Sequence, residues 1–388
     1  MNYLEQARAF ESELQVWRRY LHQHPEIGLE LPITTQYIKD TLHGFGLESK
    51  EISPSGILCE IEGKEKGKTF LLRGDSDGLP MAEEISLPFK SKHENRAHSC
   101  GHDMHTAMLL GAAKLLSQNR DTFRGVVKLM FQPGEETLQG AASMIEAGLL
   151  KNPTVDAALG MHVMLDGPAG GFAYGTGYMS SSSDSYLIKI TGKGCHGAMP
   201  HQGIDPIAVA VHIYLSYQHL IARENPTNAT TALSIGELSA GSVSNIIPET
   251  AIMKGTLRTY DPQVRSHMRK RIEEIAVQTG ALFNASVEFN WTGGVPSILS
   301  DETLVKELVA YIDELGYDFL KTPDYKIFPS EDFALVSEQV KSTYLLLYAK
   351  KEGNPFPHHS PFVDFDEAAL PLGAAIYAQC AAQWLNHH

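Results

Sequence analysis

Apolar positions at the start of the chain recur at three- and four-residue steps: Leu4, Ala7, Phe10, Leu14, Trp17 and Leu21. That spacing predicts one amphipathic helix with a single buried face. Short apolar runs then alternate with helical stretches. Residues 69–73, 126–131 and 157–161 read as strands, 106–116 as a helix of small and apolar residues, and 343–348 as a further buried strand. Asn152-Pro153 reads as the end of another helix. This rhythm predicts an α/β fold with a doubly wound, mainly parallel sheet. Just past the first three strands stand Asp75, Glu135 with Glu136, and His162. Open α/β sheets bind ligands at that edge.

From about residue 180 the pattern changes. Strands at 185–191, 230–238, 251–259 and 285–291 enclose helices at 205–223 and 261–283, the first opened by Asp205-Pro206. The order β-α-β-β-α-β predicts a small ferredoxin-like α+β domain. The expected organisation is a catalytic domain of residues 1–179 and 292–388, interrupted by a lid or dimerisation domain of residues 180–291.

A length of 388 residues agrees with two domains. Hydrophobic content of 43% and charged content of 20% fit a globular protein. A formal charge of -14 without a basic run argues against nucleic acid or an anionic membrane as partner. Residues 1–14 have neither the basic nor the apolar region of a signal peptide, and no apolar run is long enough to span a membrane. Four scattered cysteines suit a reducing cytoplasm better than a disulfide framework.

The hexapeptide Cys100-Gly101-His102-Asp103-Met104-His105 is the densest chemistry in the chain. A lone Cys-x-His is more often a buried thiol beside a core histidine. Here the flanking Asp103 and His105, and the acids at the strand ends, turn the reading towards divalent metal ions. In an extended or turn segment Cys100 and His102 would point the same way. Glu135-Glu136 suits a division of labour in which one carboxylate ligates and the other moves a proton. It is equally the pattern of a helix N-terminus. No glycine-rich phosphate loop follows a strand, so nucleotide chemistry is not expected.

Together these segments resemble the metallo-amidohydrolases related to aminoacylase and carboxypeptidase G. The hippurate hydrolase and indole-acetyl-amino-acid hydrolase branch is nearest. The matching stretches are 18–26 (RRYLHQHPE), 73–80 (RGDSDGLP), 98–110 (HSCGHDMHTAMLL), 131–136 (FQPGEE), 160–162 (GMH), 196–205 (HGAMPHQGID), 245–248 (NIIP), 255–259 (GTLRT), 330–333 (SEDF) and 359–361 (HSP). The resemblance implies that Cys100, His102, Glu136, His162 and His359 hold two divalent ions, zinc or manganese. It implies Glu135 as general base and acid, with Asp77 beside the metal site. It also implies His196 as the oxyanion donor, reaching across a homodimer, and Asn245 and Arg258 on the substrate carboxylate. The implied reaction is hydrolysis of N-acyl-L-amino acids. The alternatives are a dipeptidase or carboxypeptidase on the same centre, or an inactive metal-bound binding protein. Cys195 beside His196, and Glu94-Asn95-Arg96-Ala97, depart from the family pattern, which bears on substrate range.

Overall fold

The computed structural model describes residues 2–388. The chain divides into two compact units. The first runs to Met179 and adds Ile298–Lys326 and Asp332–His388; the second is Ser180–Ser297 with Ile327–Glu331.

The first unit is built on an eight-stranded sheet. Its order is Ser49–Ser53, Gly56–Glu62, Val126–Gln132, Thr69–Asp75, Ala157–Pro168, Lys341–Lys350, Gly171–Ala173 and Leu320–Thr322. The four central strands are parallel. The hairpin of the first two and the short strand Gly171–Ala173 add antiparallel rims. Every residue of Thr69–Asp75 is buried, as expected of a strand covered on both faces. The helices His102–Gln118 and Ala369–His387 pack closely. A Cβ at Gly111 would sit 2.7 Å from the Ala374 methyl, so glycine permits the approach.

Four local expectations need correction. The N-terminal stripe belongs to two helices, Tyr3–Ala9 and Glu11–Gln23. Phe10, at φ -123° and ψ 28°, breaks the helix for one residue while its ring stays buried against Trp17. The helix expected at 106–116 begins at His102, so His102, Asp103 and His105 lie in its first turn. The strand expected to stop before His162 continues to Pro168, because Lys341–Lys350 pairs with it past His162 to Met164 and again at Pro168. The helix expected to end at Asn152-Pro153 stops at Glu146.

The second unit is a four-stranded antiparallel sheet in the order Thr231–Ala240, Thr250–Thr259, Ser183–Thr191, Ser286–Val295. Its helices Pro206–Arg223 and Pro262–Leu282 are each opened by an aspartate, Asp205 or Asp261, whose carboxylate accepts backbone N–H groups of the first turn. Val209, Ile213, Tyr217 and Leu220 of one helix, and Met268 and Ile272 of the other, fill the core beneath the sheet. This is the strand order of a ferredoxin-like sandwich. The unit extends to Ser297 and takes in Ile327–Glu331 because Tyr260 and Ser181 donate to the carbonyls of Ile327 and Phe328. Among the described residues no helix is long and apolar enough to cross a membrane.

Candidate metal centre

The site grows from the C-terminal edge of the parallel strands. Asp75 pairs with Gln132 and Arg73 with Gly160, so His162 comes level with Asp75. The Cys100 loop meets this edge through Gly101, which caps the following helix at φ 95°. A side chain there would need the left-handed region and would put its Cβ 2.4 Å from Val163 Cγ2. Cys100 and His102 are therefore brought together by the tight bend at Gly101 that opens the helix.

Two triads of ligand atoms share one thiol. Cys100, His102 and His162 form one, Cys100, Glu136 and His359 the other, with all ligand atoms of each within 4.8 Å of one another. Cys100 Sγ is 3.4 Å from His162 Nε2, and His359 Nε2 is 3.5 Å from Glu136 Oε1. His102 Nε2 and Glu136 Oε1 are buried with no hydrogen-bond partner. Buried polar atoms without partners are costly, and converging thiol, imidazole and carboxylate groups are what divalent cations take. The residues fit a pair of metal ions.

The surrounding groups fix which atoms face inward. His102 Nδ1 is 2.9 Å from the Asp77 carbonyl oxygen and His162 Nδ1 is 2.6 Å from the Val163 carbonyl oxygen, so each ring donates there and presents Nε2 to the centre. The Asp77 carboxylate accepts the backbone N–H groups of Glu135 and Glu136 at 3.0 and 3.2 Å. It thereby holds the turn that carries both glutamates. That turn precedes the next helix, which begins only at Gly140, so the glutamates do not open a helix. His105 spends both nitrogens elsewhere: Nδ1 on Asp75 at 2.5 Å, and Nε2 accepting the Val163 N–H at 2.8 Å. Asp103 accepts from Arg18 Nε at 2.8 Å and lies 2.9 Å from His22 Nδ1.

Electrostatics follow from burial and from charge. Burial pushes the Cys100 thiol up to about 12. For His102 burial opposes the charged form, but the Asp75 carboxylate and Cys100 outweigh it and hold its pKa well above the ordinary value. Burial, reinforced by His105 and His358, holds His162 well below it. Burial would raise Glu136, yet the neighbouring His359 and His102 imidazoles bring it down.

Residues 71–383 match the model of peptidase family M20/M25/M40. The chain belongs to the M20 peptidase family. It is 35% identical over 377 residues to an N-acetyl-L-cysteine deacetylase of Bacillus subtilis, covering 97% of this chain and 89% of the relative. It is 33% identical to thermostable carboxypeptidase 1 of Saccharolobus solfataricus, with both chains covered in full. Among solved structures, a dinuclear metal-binding M20 peptidase from Bacillus subtilis superposes with a TM-score of 0.85 at 33% identity, covering 97% of this chain and 99% of that one.

The remaining candidates of this M20 chain lie in the second unit. His196 forms a two-residue strand with Cys195 that pairs with Ile246–Ile247, and the Gly197 N–H donates to the Asn245 carbonyl at 2.8 Å. His196 and Asn245 thus share one small ribbon. Arg258 lies on the strand Thr250–Thr259, with Nη1 2.5 Å from Ser330 Oγ. Sequence reasoning missed the support of Asp75. Arg73 Nη1 is 2.8 Å from Asp75 Oδ2, while Asp332 accepts from Arg73 Nη2 at 3.3 Å and from Gln132 Nε2 at 2.6 Å. Each of these residues lies in or beside a motif stretch (RGDSDGLP, FQPGEE, SEDF), which was the available signal.

Proposed function

We propose that this M20 protein hydrolyses the amide bond of N-acyl-L-amino acids with two divalent ions. Cys100 would serve both ions, His102 and His162 completing one site and Glu136 and His359 the other. The observation that supports this most is one thiol standing in two ligand triads, beside a further carboxylate, Glu135. Bound ions of this kind acidify a water molecule and polarise the amide carbonyl. A thiolate ligand favours zinc, and the imidazoles and carboxylate also suit manganese.

Glu135 takes a proton from the attacking water as the water oxygen bonds to the acyl carbon. The C–N bond then breaks, and Glu135 passes the proton to the leaving nitrogen, releasing a carboxylic acid and an amino acid. Asp77 keeps Glu135 in position through the backbone of the turn. His196 would donate to the developing oxyanion, and Asn245 and Arg258 would hold the substrate carboxylate.

The relative named as an N-acetyl-L-cysteine deacetylase favours N-acyl substrates; the one named as a carboxypeptidase keeps peptides as the second reading. Protein stripped with a chelator and reloaded with zinc or manganese is expected to cleave acetyl- or benzoyl-amino acids only when reloaded. Full hydrolysis with no metal left by elemental analysis would overturn the metal reading. A marked preference for the C-terminal residue of peptides would favour the carboxypeptidase.

The outward face of the helix Pro206–Arg223 exposes Ile207, Val211, Tyr214 and Leu215, and the neighbouring edge strand Thr231–Ala240 exposes Leu238. An apolar stripe beside an unpaired strand edge suits a self-complementary contact, so a homodimer is proposed. Leu215→Glu is expected to shift the sedimenting species from dimer to monomer; a monomeric parent protein would sink the idea. The four free cysteines and the negative net charge suit a cytoplasmic protein acting on small molecules.

A further inference from the structure

Arg18, within the RRYLHQHPE stretch, is fully buried and takes part in nothing proposed above. Its three nitrogens are spread over three carboxylates: Nε on Asp103 at 2.8 Å, Nη2 on Asp364 at 3.3 Å and Nη1 on Glu367 at 3.1 Å. These acids belong to two segments far apart in sequence. Asp103 follows His102 directly. Asp364 and Glu367 follow His359 on the chain that leads into the last helix.

That second segment needs anchoring. His359 is a non-glycine residue in the left-handed region, at φ 62°, and its side chain is 53% exposed. Packing therefore does not hold it where it stands. Its position is set by the backbone on either side: its own N–H on the Ser99 carbonyl at 3.0 Å, the Pro361 carbonyl accepting from the N–H groups of Glu84 and Ile85 at 2.8 and 3.1 Å, and further downstream the Arg18 fork. Lys351 closes the outer side of Asp364, and Arg19 that of Glu367. A guanidinium suits this place because its planar fork fixes direction as well as charge.

We propose that Arg18 is a positioning residue that sets the two metal triads against each other. One prong acts through Asp103 on His102, and the other two act through Asp364 and Glu367 on His359. The inference rests on the two-metal reading.

The test is a cobalt titration of metal-stripped protein, followed by the visible spectrum of the bound ion and by calorimetry. The double variant Asp364→Asn, Glu367→Gln leaves Arg18 paired with Asp103. It is expected to bind one ion as the parent does and the second roughly 10- to 100-fold more weakly, with a lower metal-free melting temperature because buried Arg18 loses two of its three charged partners. Two ions bound at parental affinity would overturn the proposal, and so would equal weakening of both. Should the double variant not fold, Arg18→Lys replaces it. It keeps the charge and loses the fork, so parental binding of both ions by Arg18→Lys would be equally fatal. A parent chain that binds fewer than two ions would refute the two-metal reading itself, a result distinguishable from either.

Discussion

Glu135→Gln is expected to lower kcat by about 10²- to 10⁴-fold, the range that a positioned general base contributes, with both ions still bound. The substitution keeps the shape of the side chain and removes only its ability to take a proton. Glu135 is buried, and its backbone N–H is fixed 3.0 Å from Asp77 Oδ1. That bond does not depend on the side chain, so the turn and its neighbour Glu136 should stay in place. Glu135 Oε2 lies 3.9 Å from His102 Nε2, beside the centre but outside both thiol-containing triads. The expected signature is a drop in kcat with KM and metal content nearly unchanged. Loss of a metal ion in this variant would make Glu135 a ligand and move the proton transfer to another group. Near-parental kcat would remove it from the mechanism.

The reach of sequence reasoning is clearest where particular residues divide. Apolar periodicity reports a face, not continuity, so Phe10 keeps step while the helix stops beneath it. The start at His102 was hidden because its cap is Gly101 in the left-handed region, not the usual hydroxyl or carboxamide side chain. Asp75 and the glutamates were legible as strand-end acids, since an apolar run ending in charge marks where a strand leaves the core. His162 lies inside its strand, because that strand's length is decided by pairing with Lys341–Lys350, and local pattern carries no record of a remote partner. The division between ligand and bystander within the hexapeptide depends on second partners. His105 is already held by Asp75 and Val163, and Asp103 by Arg18 and His22. Those bonds cross the fold, and only a recognised family pattern could have suggested them.

Cys100→Ser should be the most damaging single change at the centre, because it acts on both ions at once. Each triad contains the same sulfur, so removing it leaves each ion two of its three ligands. A serine hydroxyl is a poor replacement: it keeps its proton at neutral pH, while a ligating cysteine gives its proton up and binds as thiolate. Both affinities are therefore expected to fall by more than the roughly 10- to 100-fold typical of changes outside the ligand set. Dialysed protein should retain less than one ion per chain and lose amide hydrolysis in proportion. A sharper measurement is proton release. Metal uptake by a thiol ligand expels a proton, which calorimetry detects by repeating the titration in buffers of different ionisation enthalpy. The parent should release that proton and Cys100→Ser should not. His359→Ala, which reaches only one triad, should spare one ion. If Cys100→Ser instead keeps one ion at parental affinity, the thiol belongs to a single metal and the shared-ligand arrangement is wrong.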